Sequence, residues 1–460
     1  MDAYLLVDFG STYTKLTLVG KDAEEVLITS SSYTTIETNV LDGFRKAFYK
    51  IEGYINENNI NIIKRLACSS AAGGLKMISV GITPRYTVEA TKRAALGAGA
   101  RLLKSYSYFL SEGDVADISN SNADIILISG GAENGNTKYL LDNSKMLLKL
   151  KKNIPIIVSG NTATYLKLRE IFKDIENEVY FVSNLMPDVN RIEPEEVRSK
   201  IREVFMKKIV SAKGMEDVES RIDEILMPTP TAVLYAAKLI SDGINGNLGM
   251  GSTVIIDIGG ATTDVHSVSE PIDENYNYYY DDLPEPYVKR TVEGDLGMRY
   301  SAISAYEADG KEFFEKKGLN DDEALHACEF RSTNTNYLPT EYKDAKFDNL
   351  LAEHCASVAL KRHSGHTKES YVNGGFVTVQ NGKNLKGIKN IIGTGGVLIN
   401  SDVRYEILHN ATLTEDENTL LPTNPDYYFD QKYILSAMGL LSTVNPELSL
   451  KILKKSLIKL

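Results

Sequence analysis

The chain carries very little that would staple or anchor it. Three cysteines occur in 460 residues, Cys68, Cys328 and Cys355, an odd number at wide spacing with no CxxC pair. That pattern excludes a disulfide framework and a structural zinc site, and it fits a reducing compartment. No uninterrupted apolar run approaches the ~18 residues that mark a membrane-spanning helix, so no membrane association is expected. The N-terminus enters an apolar run within a few residues, which leaves no room for a signal peptide. Positive charge is in deficit: 51 Lys and Arg against 62 Asp and Glu give a net charge of −11. Such a surface attracts neither nucleic acid nor anionic lipid. There is also no low-complexity linker and no short solenoid repeat. What remains, 43% apolar and 25% charged residues, is the composition of a soluble globular protein. It is expected to be cytoplasmic and long enough for about two to four domains.

What is present is a pair of similar turns about 250 residues apart. The first, Asp8-Phe9-Gly10-Ser11-Thr12-Tyr13-Thr14-Lys15, follows the apolar run Tyr4-Leu5-Leu6-Val7. The second, Asp257-Ile258-Gly259-Gly260-Ala261-Thr262-Thr263-Asp264, follows Thr253-Val254-Ile255-Ile256. Each reads as a buried strand, a tight glycine turn and a second strand. Glycine lets backbone N–H groups close on a phosphate where a Cβ would intrude, and the hydroxyls add donors. A carboxylate at the end of each first strand can hold the water shell of Mg2+, a cation that keeps several of its waters. One such turn is commonly just a hairpin; two in the same context point to a nucleotide clamp.

The order of elements divides the chain. Residues 1–71 read as a first lobe, with a helix from Asn39 to Asn58 and a strand from Arg65 to Ser70. Residues 72–215 alternate strand and helix. Their continuous apolar strands, Asp124–Ile128, Ile154–Val158 and Val179–Val182, predict a parallel sheet covered on both faces, a Rossmann-like α/β insertion. Helices are expected at Lys138–Leu150 and Thr164–Phe172. Residues 216–245 form a connecting segment with a helix from Thr231 to Ile240. Residues 246–295 open the second lobe, residues 296–388 a helical subdomain, and residues 389–460 close the second lobe. This last part holds the glycine turn Gly393-Thr394-Gly395-Gly396 and two helices, Tyr433–Leu441 and Leu448–Leu460. The tyrosine-rich stretch Glu274 to Pro286 predicts a mobile hairpin tip.

These parts, in this order, resemble the actin/Hsp70/sugar-kinase superfamily of ATPases, whose fold is two-lobed α/β. Asp8 to Lys15 is similar to its phosphate-1 turn, Asp257 to Asp264 to phosphate-2, and Gly393 to Gly396 to its adenosine turn. Pro230-Thr231-Ala232 resembles the start of the Hsp70 connecting helix, and Gly294-Asp295-Leu296-Gly297 an element that follows phosphate-2. A closer resemblance covers nearly the whole chain. Leu66 to Met77, Lys92 to Ala100, Leu226 to Pro230 and Gly260 to Val268 look like the glutamate mutase L family. That resemblance implies an ATP-dependent accessory or reactivating factor for an adenosylcobalamin-dependent mutase or aminomutase.

Roles for residues follow from electrostatics and from the resemblance. Asp8 and Asp257 are expected to hold hydrated Mg2+. Gly10, Ser11, Thr12, Gly259, Gly260, Thr262 and Thr263 are expected to cradle the phosphates of ATP, with Lys15 as a point charge beside them. Gly393, Gly395 and Gly396 would pack beside the adenosine. Thr229 stands where the Hsp70 helix has a glutamate that organises the attacking water. A hydroxyl is a poor base, so Asp264 or Asp257 must help, or hydrolysis is slow. Slow turnover suits a switch. An alternative on the same scaffold is a small-molecule kinase with Asp264 facing the acceptor hydroxyl. His266 is expected to be structural. His354, His363 and His366 near Cys355 are expected on a solvated helical face rather than at a metal, and Ser129-Gly130-Gly131 as a plain strand-to-helix turn.

Overall fold

Strand β1 (Asp2–Phe9) is buried at every position from Ala3 to Phe9, which requires cover on both faces and makes it a central strand. It pairs antiparallel with β2 (Tyr13–Gly20), which pairs antiparallel with β3 (Glu25–Tyr33). Helix α1 (Val40–Glu57) lays Leu41, Phe44, Ala47 and Ile51 on this sheet at helical spacing. On the other side of β1 runs β4 (Asn61–Ser69), parallel to it. The computed structural model describes residues 1–460 except 11–12, 35–39, 71–74, 190, 211–221, 272–278, 281–282, 284 and 373.

After β4 the chain leaves the sheet and builds a second one from β5 (Lys76–Gly81), helix α2 (Glu89–Gly97), β6 (Arg101–Ser107), β7 (Ile125–Ile128), β8 (Ile156–Val158) and β9 (Val179–Phe181). All five strands are parallel, in the order β6-β5-β7-β8-β9. The chain then returns to the first sheet as β10 (Glu224–Pro228), parallel to β4, and continues directly into helix α3 (Thr229–Asp242).

A third sheet repeats the first. Its pivot is β11 (Thr253–Ile258), antiparallel to β12 (Thr263–Val268), which is antiparallel to β13 (Val288–Glu293). A long helix, α4 (Tyr342–His363), packs Leu351, Ala352, Cys355 and Ala359 into the core beneath this sheet. Beyond β11 lie β14 (Asn390–Thr394) and β15 (Asp426–Asp430), both parallel. On one side of its pivot each sheet continues through two antiparallel pairings, and on the other the first two strands are parallel to it. The register repeats as well: Asp8 faces Lys15 and Asp257 faces Asp264. Helix α5 (Leu435–Ser442) follows β15 as α3 follows β10. The two helices cross at Gly439, where a Cβ would lie 1.8 Å from the Ala232 carbonyl oxygen. The expected two-lobed α/β organisation is what these twin sheets make.

Two expectations change. Helix α6 (Pro446–Ser456) stops short of Leu460, and Leu457–Lys459 becomes strand β16, antiparallel to β15. The edge of β15 would otherwise present unpaired backbone groups. The histidines of α4 do not form a solvated face. His354 and His363 are buried with Cys355. His354 Nε2 lies 2.9 Å from the carbonyls of both Ala305 and Ala308, and His363 bridges Thr291 and Ser267 at 2.8 Å each. The reason is that α4 is covered by the helices before it as well as by the sheet, so little of its circumference meets water. The tip of the tyrosine-rich stretch lies outside the described residues; Tyr279–Tyr280 pairs with Val379 and Gln380.

No helix among the described residues is long and apolar enough to cross a membrane.

Candidate functional site

Because β1 and β11 are the pivots of their sheets, the turns that follow them open into the space between the lobes. Each turn is closed the same way. Gly10 N–H donates to the Tyr13 carbonyl at 3.1 Å, and Gly259 N–H donates to the Thr262 carbonyl at 2.9 Å. At Gly10 a Cβ would sit 2.6 Å from that carbonyl oxygen, so the tight turn needs glycine. Between them lies a cavity of about 1480 Å3. Its walls bring together Asp8, Gly10, Lys15, Thr229, Asp257, Gly259, Gly260, Thr262, Asp264 and Gly396. Ser11 and Thr12 lie outside the described residues.

The two aspartates are not alike. Asp8 is saturated by its own chain: Thr229 Oγ1 donates to Oδ1 at 2.7 Å and Ser436 Oγ to Oδ2 at 2.9 Å. Cys68 Sγ lies 3.6 Å from Oδ1, and Lys15 Nζ 3.7 Å from Oδ2. Asp257 is half-buried, and its Oδ1, shut off from solvent, has no partner among the described residues. Burial, then the nearby Asp264 carboxylate, pushes Asp257 up to about 7. Asp430, at the end of β15, is fully buried. Its Oδ2 accepts from the Leu435 N–H at 3.0 Å and the Thr394 hydroxyl at 3.3 Å, while Oδ1 is unpartnered. Burial is also the main reason Asp430 is pushed above the carboxylate range.

Lys15 counters this acidity. Burial alone would lower it, but Tyr433, Asp8 and Asp257 together outweigh that and hold the ammonium charged. Its Nζ sits 3.3 Å from the centroid of the Tyr433 ring, a cation–π contact between the lobes. An unpartnered Asp257 oxygen at the cavity, with no cage of three or more His, Cys, Asp or Glu among the described residues, suits a cation that keeps its waters. Mg2+ is such a cation, its bound water supplying the missing donors.

Other expected roles are altered by what the side chains touch. Asp264 is not a free base: Arg290 donates to its Oδ1 from Nε at 3.0 Å and Nη2 at 2.6 Å, and Thr262 lies 3.2 Å from Oδ2. Thr263 does not cradle phosphate with its hydroxyl, which donates to the Leu296 carbonyl at 2.9 Å. Of the glycine turn, Thr394 and Gly396 line the cavity. Gly393 gives room to Leu398 and Leu408, and Gly395, at φ 118°, lies against the Ile258 carbonyl. Thr229 spends its hydroxyl on Asp8, which ties the start of α3 to the first turn.

Sequence reading passed over Asp430, Ser436, Tyr433 and Arg290. Asp430 had a signal, since Tyr427-Tyr428-Phe429-Asp430 ends an apolar strand in an acid, as β1 and β11 end. The others had none, because their partners are distant in sequence.

His266, two residues after Asp264 on β12, is fully buried with neither ring nitrogen partnered among the described residues. Burial, then Arg290, pushes it down to about 3; His363 is likewise pushed well down by burial. Both stay neutral in the folded state below pH 6.5 while their unfolded counterparts take up protons. Stability is thus lost as pH falls from about 6.5 toward about 3, by about 1.4 kcal/mol per pH unit for each histidine. Denaturant titrations between pH 7 and 4.5 should show this slope, and His266→Gln should reduce it by about one histidine's share.

A family model described as MutL protein matches residues 4–457. Protein MutL of Clostridium tetanomorphum is 46% identical over 461 residues, covering 100% of both chains. Among solved structures, a glycerol dehydratase reactivase is 10% identical with TM-score 0.33, covering 96% of this chain and 99% of that one. The xylulose kinase from Lactobacillus acidophilus is 10% identical with TM-score 0.33, covering 100% and 93%. Likenesses this distant carry no argument, and the twin-sheet topology stands without them. Matched along its whole length by sequence, the chain belongs to the MutL (glutamate mutase L) family.

Proposed function

We propose that this chain is an ATP-binding, slowly hydrolysing reactivating factor for an adenosylcobalamin-dependent mutase or aminomutase, of the glutamate mutase or ornithine aminomutase type, and that it releases damaged cobalamin. The observation that carries the nucleotide part is the pair of matched turns opening on one cavity that holds an unpartnered, buried Asp257 oxygen. Membership of the glutamate mutase L family supports the partner. The acidic chain gives no support to a role in DNA repair, which a shared name invites.

In this reading Asp8 and Asp257 hold the water shell of Mg2+, with Asp8 braced by Lys15 and the Thr229 and Ser436 hydroxyls. When bound, the cation neutralises phosphate charge. The Gly10, Gly259 and Gly260 backbone and the Thr262 hydroxyl face the phosphates, and Gly396 lies beside the adenosine. No unpaired base stands ready for the attacking water: Thr229 and Asp264 are both engaged. That supports a slow ATPase, and it weighs against a kinase using Asp264 as its base. Residues 72–215 are read as a Rossmann-like insertion and the surface that meets the mutase, leaving 1–71 and 216–460 as the ATPase core. Closing the lobes on ATP and reopening them after hydrolysis would pull on the partner's cobalamin domain.

The test is to inactivate candidate mutases with cobalamin analogues and add this protein with MgATP. Activity should return with the wild type and not with Asp8→Ala or Asp257→Ala. Equal recovery with the variants, or ATP consumption that starts only with a sugar or acid acceptor, overturns the reading.

A further inference from the structure

Most charges around the cleft are paired: Arg290 with Asp264, Arg93 with Glu89 and Glu285, Arg299 with Asp348. Lys76 and Arg101 are exceptions. They begin strands β5 and β6, face each other in register, and line the same cavity as Asp8, Asp257 and Thr262. Among the described residues neither side chain has a hydrogen bond or ion pair. They stand at the amino ends of the parallel sheet, so the carboxyl ends of its strands point away from the cleft and only this end addresses it.

The Arg101 guanidinium rests flat on Gly294, at the end of β13. A Cβ there would lie 2.4 Å from Nη2, 2.5 Å from Cζ and 2.9 Å from Nε. Gly294 is bound to the second phosphate turn through one hydroxyl: Ser301 Oγ lies 3.0 Å from the Gly294 carbonyl and 2.7 Å from the Ala261 carbonyl. A cation carried by residues 72–215 thus leans on the element that wraps the turn of the opposite lobe. Unpaired, planar and multidentate, it matches the charge that an ATP bound between the turns would present there.

We propose that Arg101 donates hydrogen bonds to the γ-phosphoryl oxygens of ATP and stabilises the charge that builds on them during hydrolysis, with Lys76 beside it as a point charge. The assignment rests on the nucleotide reading above. In the step, the water oxygen forms a bond to the γ-phosphorus as the bond to the β–γ bridging oxygen breaks. The electron pair stays on ADP, and the water proton passes to the released phosphate or to solvent. Arg101 makes no covalent bond; it supplies fixed positive charge where negative charge develops. Since it is borne by one lobe and acts at the turn of the other, turnover becomes conditional on the closeness of the lobes.

The experiment measures ATP turnover, and ATP and ADP affinity, for the wild type, Arg101→Ala, Arg101→Lys and Gly294→Ala. The last keeps the arginine but fills the space its guanidinium occupies. Expected are a kcat loss of at least about 100-fold for Arg101→Ala, a smaller loss for Arg101→Lys, and a loss in the same direction for Gly294→Ala. ADP affinity should stay within about twofold throughout, since the lost interaction is with the γ-phosphoryl alone. Wild-type turnover matched within about threefold by Arg101→Ala, or an equal loss of ADP affinity, overturns this assignment and leaves the nucleotide reading standing. A wild type that binds no ATP overturns both.

Discussion

Asp257→Asn should lower ATP turnover by at least about 100-fold without lowering stability. This carboxylate is half-buried with one solvent-excluded oxygen unpartnered among the described residues, so its charge opposes folding. The sign follows from its upward shift to about 7. Below about pH 4 both folded and unfolded states hold the proton, and between pH 4 and 7 only the folded state does. The group's contribution to stability is therefore present at low pH and lost as pH rises through about 7. Asparagine carries no such dependence. Thermal unfolding at pH 8 should place Asp257→Asn at or above the wild type, while the same samples show the loss of turnover. A variant that is both inactive and markedly less stable at pH 8 contradicts this account. Stability exchanged for a charged site is the usual signature of a functional group.

Arg290→Met should destabilise the protein by about 3–5 kcal/mol, the cost of stranding one member of a buried ion pair. Arg290 is 6% exposed and its partner Asp264 9%. The guanidinium also donates to the Leu96 carbonyl at 3.2 Å and lies 3.5 Å from that of Ala100, at the end of α2 and just beyond it. One side chain thus joins the second phosphate turn to the parallel-sheet region. Combining Arg290→Met with Asp264→Asn removes the stranded carboxylate and should recover part of the loss, an interaction that a double-mutant cycle reads directly. Urea unfolding of the four proteins measures it. A loss below about 1 kcal/mol in Arg290→Met would mean the pair is no better than a surface one.

How far the sequence discloses such a site depends on whether its signal is local. The two matched turns were legible as turns because an apolar strand, an acid and a glycine lie within a few residues of one another. Helix α1 and the strands β7 to β9 were legible for the same reason, their periodicity being local, and their ends shift by one or two residues where fraying and capping decide. The ion pair of Asp264 was not legible because Arg290 lies 26 residues away on a different strand. Gly393 and Gly395 shared a motif with Gly396, yet packing against Leu398 and Leu408 and the close approach to Ile258 explain the first two. The histidines of α4 pointed outward on a helix read alone; cover from neighbouring helices is a tertiary fact. Asp430 carried a local signal without the glycine turn that made its counterparts conspicuous.

The central claim is that the matched turns grip one Mg2+-bound nucleotide between the lobes. Titration calorimetry with ATP, with and without Mg2+, on the wild type and on the combined Asp8→Ala, Asp257→Ala variant tests it most directly. The account predicts one site per chain that tightens with Mg2+ and is lost in the variant. Binding of equal strength in wild type and variant, or no binding by the wild type, would contradict it.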